Sequence, residues 1–94
     1  MIRFEWDEAK NEINRRKHKI SFSLAVRVFE DPQYVLVKDR VEAGEERWHA
    51  IGEVNGTLIV TVVHTYQTDD LIRIIAARFA NREERELYAE AYGR

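Results

Sequence analysis

The chain has 94 residues and a mass of 11.1 kDa, with 45% apolar and 34% charged side chains, which suits a single small domain over residues 1–94 with one modest core. It contains no cysteine, which excludes disulfides, thiolate zinc sites and thiol nucleophiles; no apolar run approaches the roughly 18 residues of a membrane span and the opening residues lack a signal-peptide core, so a cytoplasmic protein with no membrane role is expected. A formal net charge of -2 argues against uniform basicity, yet the charges are segregated: six Lys/Arg stand against four acids up to Lys19, and seven acids against three bases over residues 30–53. Two electrostatic faces are expected, the basic one carried by the N-terminal part.

Residues 2–6 alternate apolar and charged side chains and predict a half-buried strand. Asp7 offers an N-cap to a helix over residues 8–18, with acids in its first turn and bases in its last, as the helix dipole favours. Only Ala9 and Ile13 are apolar there, so most of this helix is expected to face solvent or a charged partner. Ser21 offers a second N-cap. Phe22, Leu24, Ala25, Val28 and Phe29 then recur at helical spacing until Pro32 ends the element. Residues 34–39 and 46–54 predict strands on either side of a polar bend at Gly44. Asn55-Gly56 is a hairpin signal, because both residues tolerate positive φ, and it introduces the longest β-branched run, residues 57–66, expected to lie centrally in the sheet. A turn over residues 67–70 leads to a further strand over residues 71–79. Asn81 and Glu84 stand in the capping-box relation at the start of a last helix, which carries Leu87, Tyr88, Ala91 and Tyr92 on one side. The order β-α-α-β-β-β-β-α predicts an α+β fold, a mostly antiparallel sheet with helices packed on one face.

The run Phe4-x-Trp6-Asp7-x-x-Lys10-x-x-x-Asn14-x-x-Lys17-His18-x-Ile20-Ser21-Phe22-x-x-Ala25-x-x-Val28-Phe29-x-Asp31-Pro32 resembles the opening of BrnT-family toxins almost position by position. Glu46-Arg47, Ile51-Gly52, Val63-His64-Thr65, Arg73-Ile74-Ile75-x-Ala77-Arg78-x-Ala80 and Glu84-Arg85-x-x-Tyr88 resemble the family's later blocks, in order and at suitable spacing. Ala76 departs from that pattern, standing where many relatives have serine. The resemblance implies a RelE-like fold and metal-independent endoribonuclease activity that inhibits translation, with no cofactor. It further implies neutralisation by a BrnA-like antitoxin that carries a DNA-binding module, hence a hetero-oligomer that meets DNA only through that partner.

Cleavage of RNA by its own 2′-hydroxyl needs a base, stabilisation of the charge developing on the phosphoryl oxygens, and an acid for the leaving oxygen. Arginines with a few histidines or tyrosines suffice. Arg47, Arg73 and Arg78 each fall inside a predicted strand, where a charge is either a solvated outward position or a functional group. Planar bidentate donors suit a phosphate, and Arg47 and Arg78 are the favoured clamps. On an ideal strand Arg73 and Arg78 point to opposite faces, so both reach one site only if a bulge or strand end intervenes. His64 shares parity with Val60 and Val62 and is either a core histidine or the general base or acid; His18 and His49 are the alternatives, the latter sharing parity with Arg47. The three histidines lie in separate elements without ligand-type spacing, so no metal site is expected. Tyr88 is a candidate proton donor with an equally good core role.

Lys10, Asn14 and Lys17 share one face of the first helix and, with His18, Arg73 and Arg85, are candidate RNA contacts; a solvated helix face is the alternative. Glu84 is expected to serve as a cap. Two functional readings follow. One is an active endoribonuclease toxin. The other is a catalytically weakened family member that acts mainly as an antitoxin-binding partner and co-repressor, to which Ala76 and the negative net charge lean.

Overall fold

The computed structural model describes residues 1–92, with the side chain of Tyr92 outside the described set. Helix α1 (Glu8–His18) starts where Asp7 Oδ1 accepts from the N–H groups of Ala9 at 2.8 Å and Lys10 at 3.4 Å. It stops at Lys19, whose left-handed φ of 65° lets its N–H donate to Arg15 O. Ser21 Oγ caps the next element through Leu24 N at 3.1 Å, but α2 is only Phe22–Ala25 and tightens into a 3₁₀ turn over Val26–Glu30. The tightening presses Val28 onto Gly52 of the sheet, where an added Cβ would lie 2.9 Å from Val28 Cγ1. Glycine is required there by close approach rather than by φ.

Five strands follow the order β1-β5-β4-β3-β2, with β1 (Arg3–Glu5), β2 (Val35–Glu42), β3 (Glu45–Val54), β4 (Leu58–Thr68) and β5 (Leu71–Phe79). Only β1 runs parallel to its neighbour β5; the other pairings are antiparallel, and β4 is central as its β-branched run predicts. Two of the three hairpin turns use two residues at positive φ, Ala43 and Gly44 (52° and 82°) and Asn55 and Gly56 (57° and 78°); the third, Asp69-Asp70 between β4 and β5, uses none.

Strand alternation sends two apolar stripes to opposite faces of the sheet. On the first face Ala50, Val60, Val62, Ile72, Ile74 and Ala77 pack with Ile20, Phe22, Ala25 and Val28 from the α2 region. On the second face Ile51 packs with Ala80 and Tyr88, with Val35, Val37 and Ile59 around them. Helix α3 (Arg82–Tyr92) covers this second stripe, over β2 and β3. The expected packing of helices on one face therefore holds for the N-terminal helices and not for α3. The turn at Ala80-Asn81 delivers α3 to the side where Val35, Val37 and Ile51 would otherwise meet water.

Two irregularities position the site. On β5, Ile74 pairs with His64 and Ala76 with Val63, which leaves Ile75 as the extra residue of a bulge. On β2, Asp39 is the extra residue between Lys38 and Arg40. Beyond the three residues that β1 covers, the outer edge of β5 is satisfied at Ala77 by a side chain: Asn14 Nδ2 donates to Ala77 O at 2.8 Å and Oδ1 accepts from Ala77 N at 3.1 Å. Asn14 Nδ2 also donates to Ile20 O at 3.0 Å, so this buried amide ties α1, the loop after it and the sheet together.

Candidate active site

The second face carries the polar cluster wherever α3 does not cover it. Cross-strand pairing places Val37, His49, Val63 and Ala76 in one row of that face. The row on one side holds Ile51, Thr61 and Arg78; on β3, Arg47 lies two residues beyond His49 on the other side. Thr65 and Arg73, a pair on β4 and β5, share the face, because the Ile75 bulge reverses the parity between Arg73 and Arg78. Rows are about 7 Å apart at ~3.4 Å per residue, so Arg47 and Arg78 stand in rows on either side of the row of His49.

Glu84, in the first turn of α3, organises this cluster. Its carboxylate accepts a bidentate pair from Arg78 (Nη1 2.7 Å, Nη2 2.9 Å), a bond from Thr61 Oγ1 at 2.9 Å and one from Asn81 N at 3.0 Å. The reciprocal bond from Glu84 N to Asn81 Oδ1, at 2.8 Å, completes the capping box. Burial pushes the Glu84 carboxyl pKa upward, but the donors from Arg78, Asn81 and Thr61 outweigh it and hold the group down at about 2. The hydrogen bonds from Arg78 to Glu84 raise the pKa of Arg78 in turn. Glu84 is consequently an ionised, poorly basic carboxylate near neutrality, an anchor for Arg78 rather than a proton acceptor.

His49 lies between two carboxylates, Nε2 at 3.5 Å from Asp39 Oδ2 and Nδ1 at 3.9 Å from Glu84 Oε2. These contacts orient the ring, and its side chain keeps 21% exposure, enough to meet a substrate. Arg47 is held by Glu42 at 3.5 Å and has a buried Nε without a partner among the described residues. Its donors are thus incompletely used, as suits a group that binds an anion.

The other candidates divide. His64 lies on the first face, fully enclosed, its ring edge-on to Phe29 at 5.1 Å and to Tyr66 at 5.2 Å. Its Nδ1 faces Val62 O at 3.3 Å, its Nε2 has no partner among the described residues, and burial pushes its pKa down to about 4. The sheet separates it from Arg47 and Arg78, so it is not brought to their site. Tyr88 is buried against the second stripe and donates to Asp31 Oδ2 at 2.6 Å, which anchors α3 to the loop after the 3₁₀ turn. Asn14 is committed to the edge of β5. Arg73 pairs with Glu5 at 2.9 Å, and Arg85 Nη1 donates to Ala80 O at 2.8 Å. Lys10, Lys17 and His18 line a shallow depression with Ile13, Asn14, Ile75 and Ala76, so the basic side of α1 borders the strand that bears Arg78. Of the histidines, His49, named as an alternative to His64, is the one that shares a face with Arg47, as their parity in the sequence signals. Sequence reasoning missed Asp39, which faces His49 only because of the β2 bulge, and it assigned Glu84 a cap without its second role.

A β5-edge helix, a five-stranded sheet and an arginine–histidine cluster on its open face define a small α+β protein. The sequence model of the family described as the ribonuclease toxin BrnT of type II toxin–antitoxin systems matches residues 6–84, and the chain belongs to that family. The crystal structure of the Brucella abortus ribonuclease toxin BrnT is similar, with 28% sequence identity and a TM-score of 0.65, covering 87% of this chain and 100% of that one. No curated relative matches the sequence.

Proposed function

We propose that the chain is an endoribonuclease toxin whose cleavage centre is formed by His49, Arg47 and Arg78, with Glu84 as the positioning residue for Arg78. The observation that carries this reading is the pairing of Arg78 with Thr61 and of Thr61 with Ile51, which sets Arg78 on the same sheet face as Arg47 and His49; the Ile75 bulge adds Arg73 to that face. His49 takes the proton from a ribose 2′-hydroxyl, the O2′–phosphorus bond forms, and the bond from phosphorus to the 5′-oxygen breaks. The leaving oxygen takes a proton from water, and the products are a 2′,3′-cyclic phosphate and a 5′-hydroxyl. Arg47 and Arg78 stabilise the charge on the non-bridging oxygens, and such preorganised donors are worth about 10²–10³-fold in rate each. Lys10, Lys17 and His18 hold the RNA backbone along α1, with Arg73 and Arg85 as further contacts. The family supports the biological setting: translation falls through RNA cleavage in the cytoplasm, and a cognate BrnA-like antitoxin restrains the toxin in a hetero-oligomer that reaches DNA only through that partner.

The test is growth arrest on induction together with cleavage of single-stranded RNA by purified protein, for wild type and Arg78→Ala. Wild type is expected to arrest growth and cleave RNA, and the variant to lose at least about 100-fold in rate. Ala76, in the row of His49, favours a second reading, a weakened toxin serving as antitoxin partner and co-repressor. Harmless wild-type induction with intact RNA removes the first reading, and retained binding of the cognate antitoxin by the same protein then supports the second.

A further inference from the structure

Glu83, Glu86 and Glu90 lie at i, i+3 and i+7 of α3, with Leu87 beside them. Together with Glu84, Val37, Ile51 and His49 they line an open groove of about 360 Å³ between α3 and the edge of the sheet. The helix dipole favours Glu83, in the first turn, but helix stability does not account for Glu86 and Glu90. Carboxylates three and four residues apart repel one another, and Arg82, 3.2 Å from Glu86, offsets one of them. Glu90 lies in the last turn, which has no basic residue, where the dipole disfavours an anion. Leu87 stays 39% exposed beside the apolar floor of Val37 and Ile51. The groove also has the wrong charge for RNA, although it shares His49 and Glu84 with the cleavage centre.

We infer that this groove docks a basic amphipathic segment of the antitoxin. Its lysines or arginines meet Glu83, Glu86 and Glu90, and an aliphatic side chain settles on Val37, Ile51 and Leu87. Seated there, the segment covers His49 and closes the cleavage centre to RNA. The inference rests on the functional reading above for its partner, and on charge complementarity and the half-covered apolar floor for its occupant. The acidic groove and the basic side of α1 then divide the molecule between two ligands of opposite charge.

The test is calorimetric titration of the cognate antitoxin into the full chain, for wild type, for the triple variant Glu83→Lys, Glu86→Lys, Glu90→Lys, and for the neutral double variant Glu86→Gln, Glu90→Gln. These positions are solvent-facing, and circular dichroism with a thermal melt verifies the fold of each variant. The triple variant is expected to weaken antitoxin binding by roughly tenfold or more, and the double variant by a smaller factor, with a shallower dependence on salt in both. Glu12→Lys, an acid on α1 remote from the groove, leaves the affinity unchanged. The triple variant keeps its RNA cleavage and escapes inhibition by stoichiometric antitoxin. Unchanged antitoxin affinity in both groove variants overturns the inference, as does a charge reversal that alters only self-association of the chain. Heat of binding is read without reference to cleavage, so an inactive wild type would sink the nuclease reading and leave the docking result standing.

Discussion

Glu84→Gln isolates the charge that holds Arg78 in place. Glutamine keeps the size of the side chain and can still accept from Thr61 and Asn81, so the change removes chiefly the ion pair with Arg78. The carboxyl is held at about 2 in the folded protein against 4.5 for the free group. A group with a depressed folded pKa stabilises the fold fully above its unfolded pKa and loses that contribution as pH falls toward the folded value. A drop of this size corresponds to at most about 3 kcal/mol; Arg78 keeps 32% exposure, and solvent screening reduces the figure to about 1–2 kcal/mol. Wild type should thus exceed Glu84→Gln by about 1–2 kcal/mol at pH 7, a difference in Tm of roughly 4–8 °C per kcal/mol for a domain of this size. Urea unfolding followed by circular dichroism, repeated from pH 7 down to pH 2.5, measures it. The gap between the two proteins should be constant above pH 5 and close as Glu84 takes up its proton. A gap that stays constant throughout, or none at pH 7, would refute the assignment of the pair as a stabilising, positioning contact.

His64→Leu should be neutral or stabilising at pH 7, because it removes an enclosed imidazole whose Nε2 has no partner among the described residues. Wild type, with this pKa lowered from 6.5 to about 4, loses stability as pH falls through that window, and the leucine variant should lack that part of the slope. Retained RNA cleavage in the same variant is expected; loss of cleavage in a folded His64→Leu protein would return His64 to the catalytic set. Asn14→Ala removes three buried hydrogen bonds and strands the Ala77 amide at the edge of β5, so it should cost about 2–4 kcal/mol in denaturant unfolding. A smaller effect on stability with a large loss of RNA affinity would instead make Asn14 a substrate contact.

Local chemistry was legible from the residues themselves. The caps at Asp7, Ser21 and Asn81, the turn at Asn55-Gly56 and the strand that ends at Phe79 each depend on partners within a few positions, so spacing alone reveals them. The ordered blocks along the chain carried the family as well, and the matching region spans residues 6–84. Segregated charge was equally readable: the basic α1 flanks β5, and the acidic stretch forms β2 and β3 at the other side of the sheet.

Alternation of strand residues also requires a bulge between Arg73 and Arg78 for the two to share a face, but does not reveal whether one exists. That was settled by pairing, since the extra residue at Ile75 is defined only against Val63 and His64 of β4. The same holds for α3, which lies opposite the N-terminal helices because Ile51 and Val37 had to be covered, and for Asn14, whose amide meets Ala77 63 positions away. Sequence by itself determined which elements form, where they begin and which residue types could cleave RNA, because short-range hydrogen bonds and periodicity specify these. Only the tertiary structure decided that His49 rather than His64 stands with Arg47 and Arg78, because the face a side chain takes depends on register, on bulges and on what packs behind it.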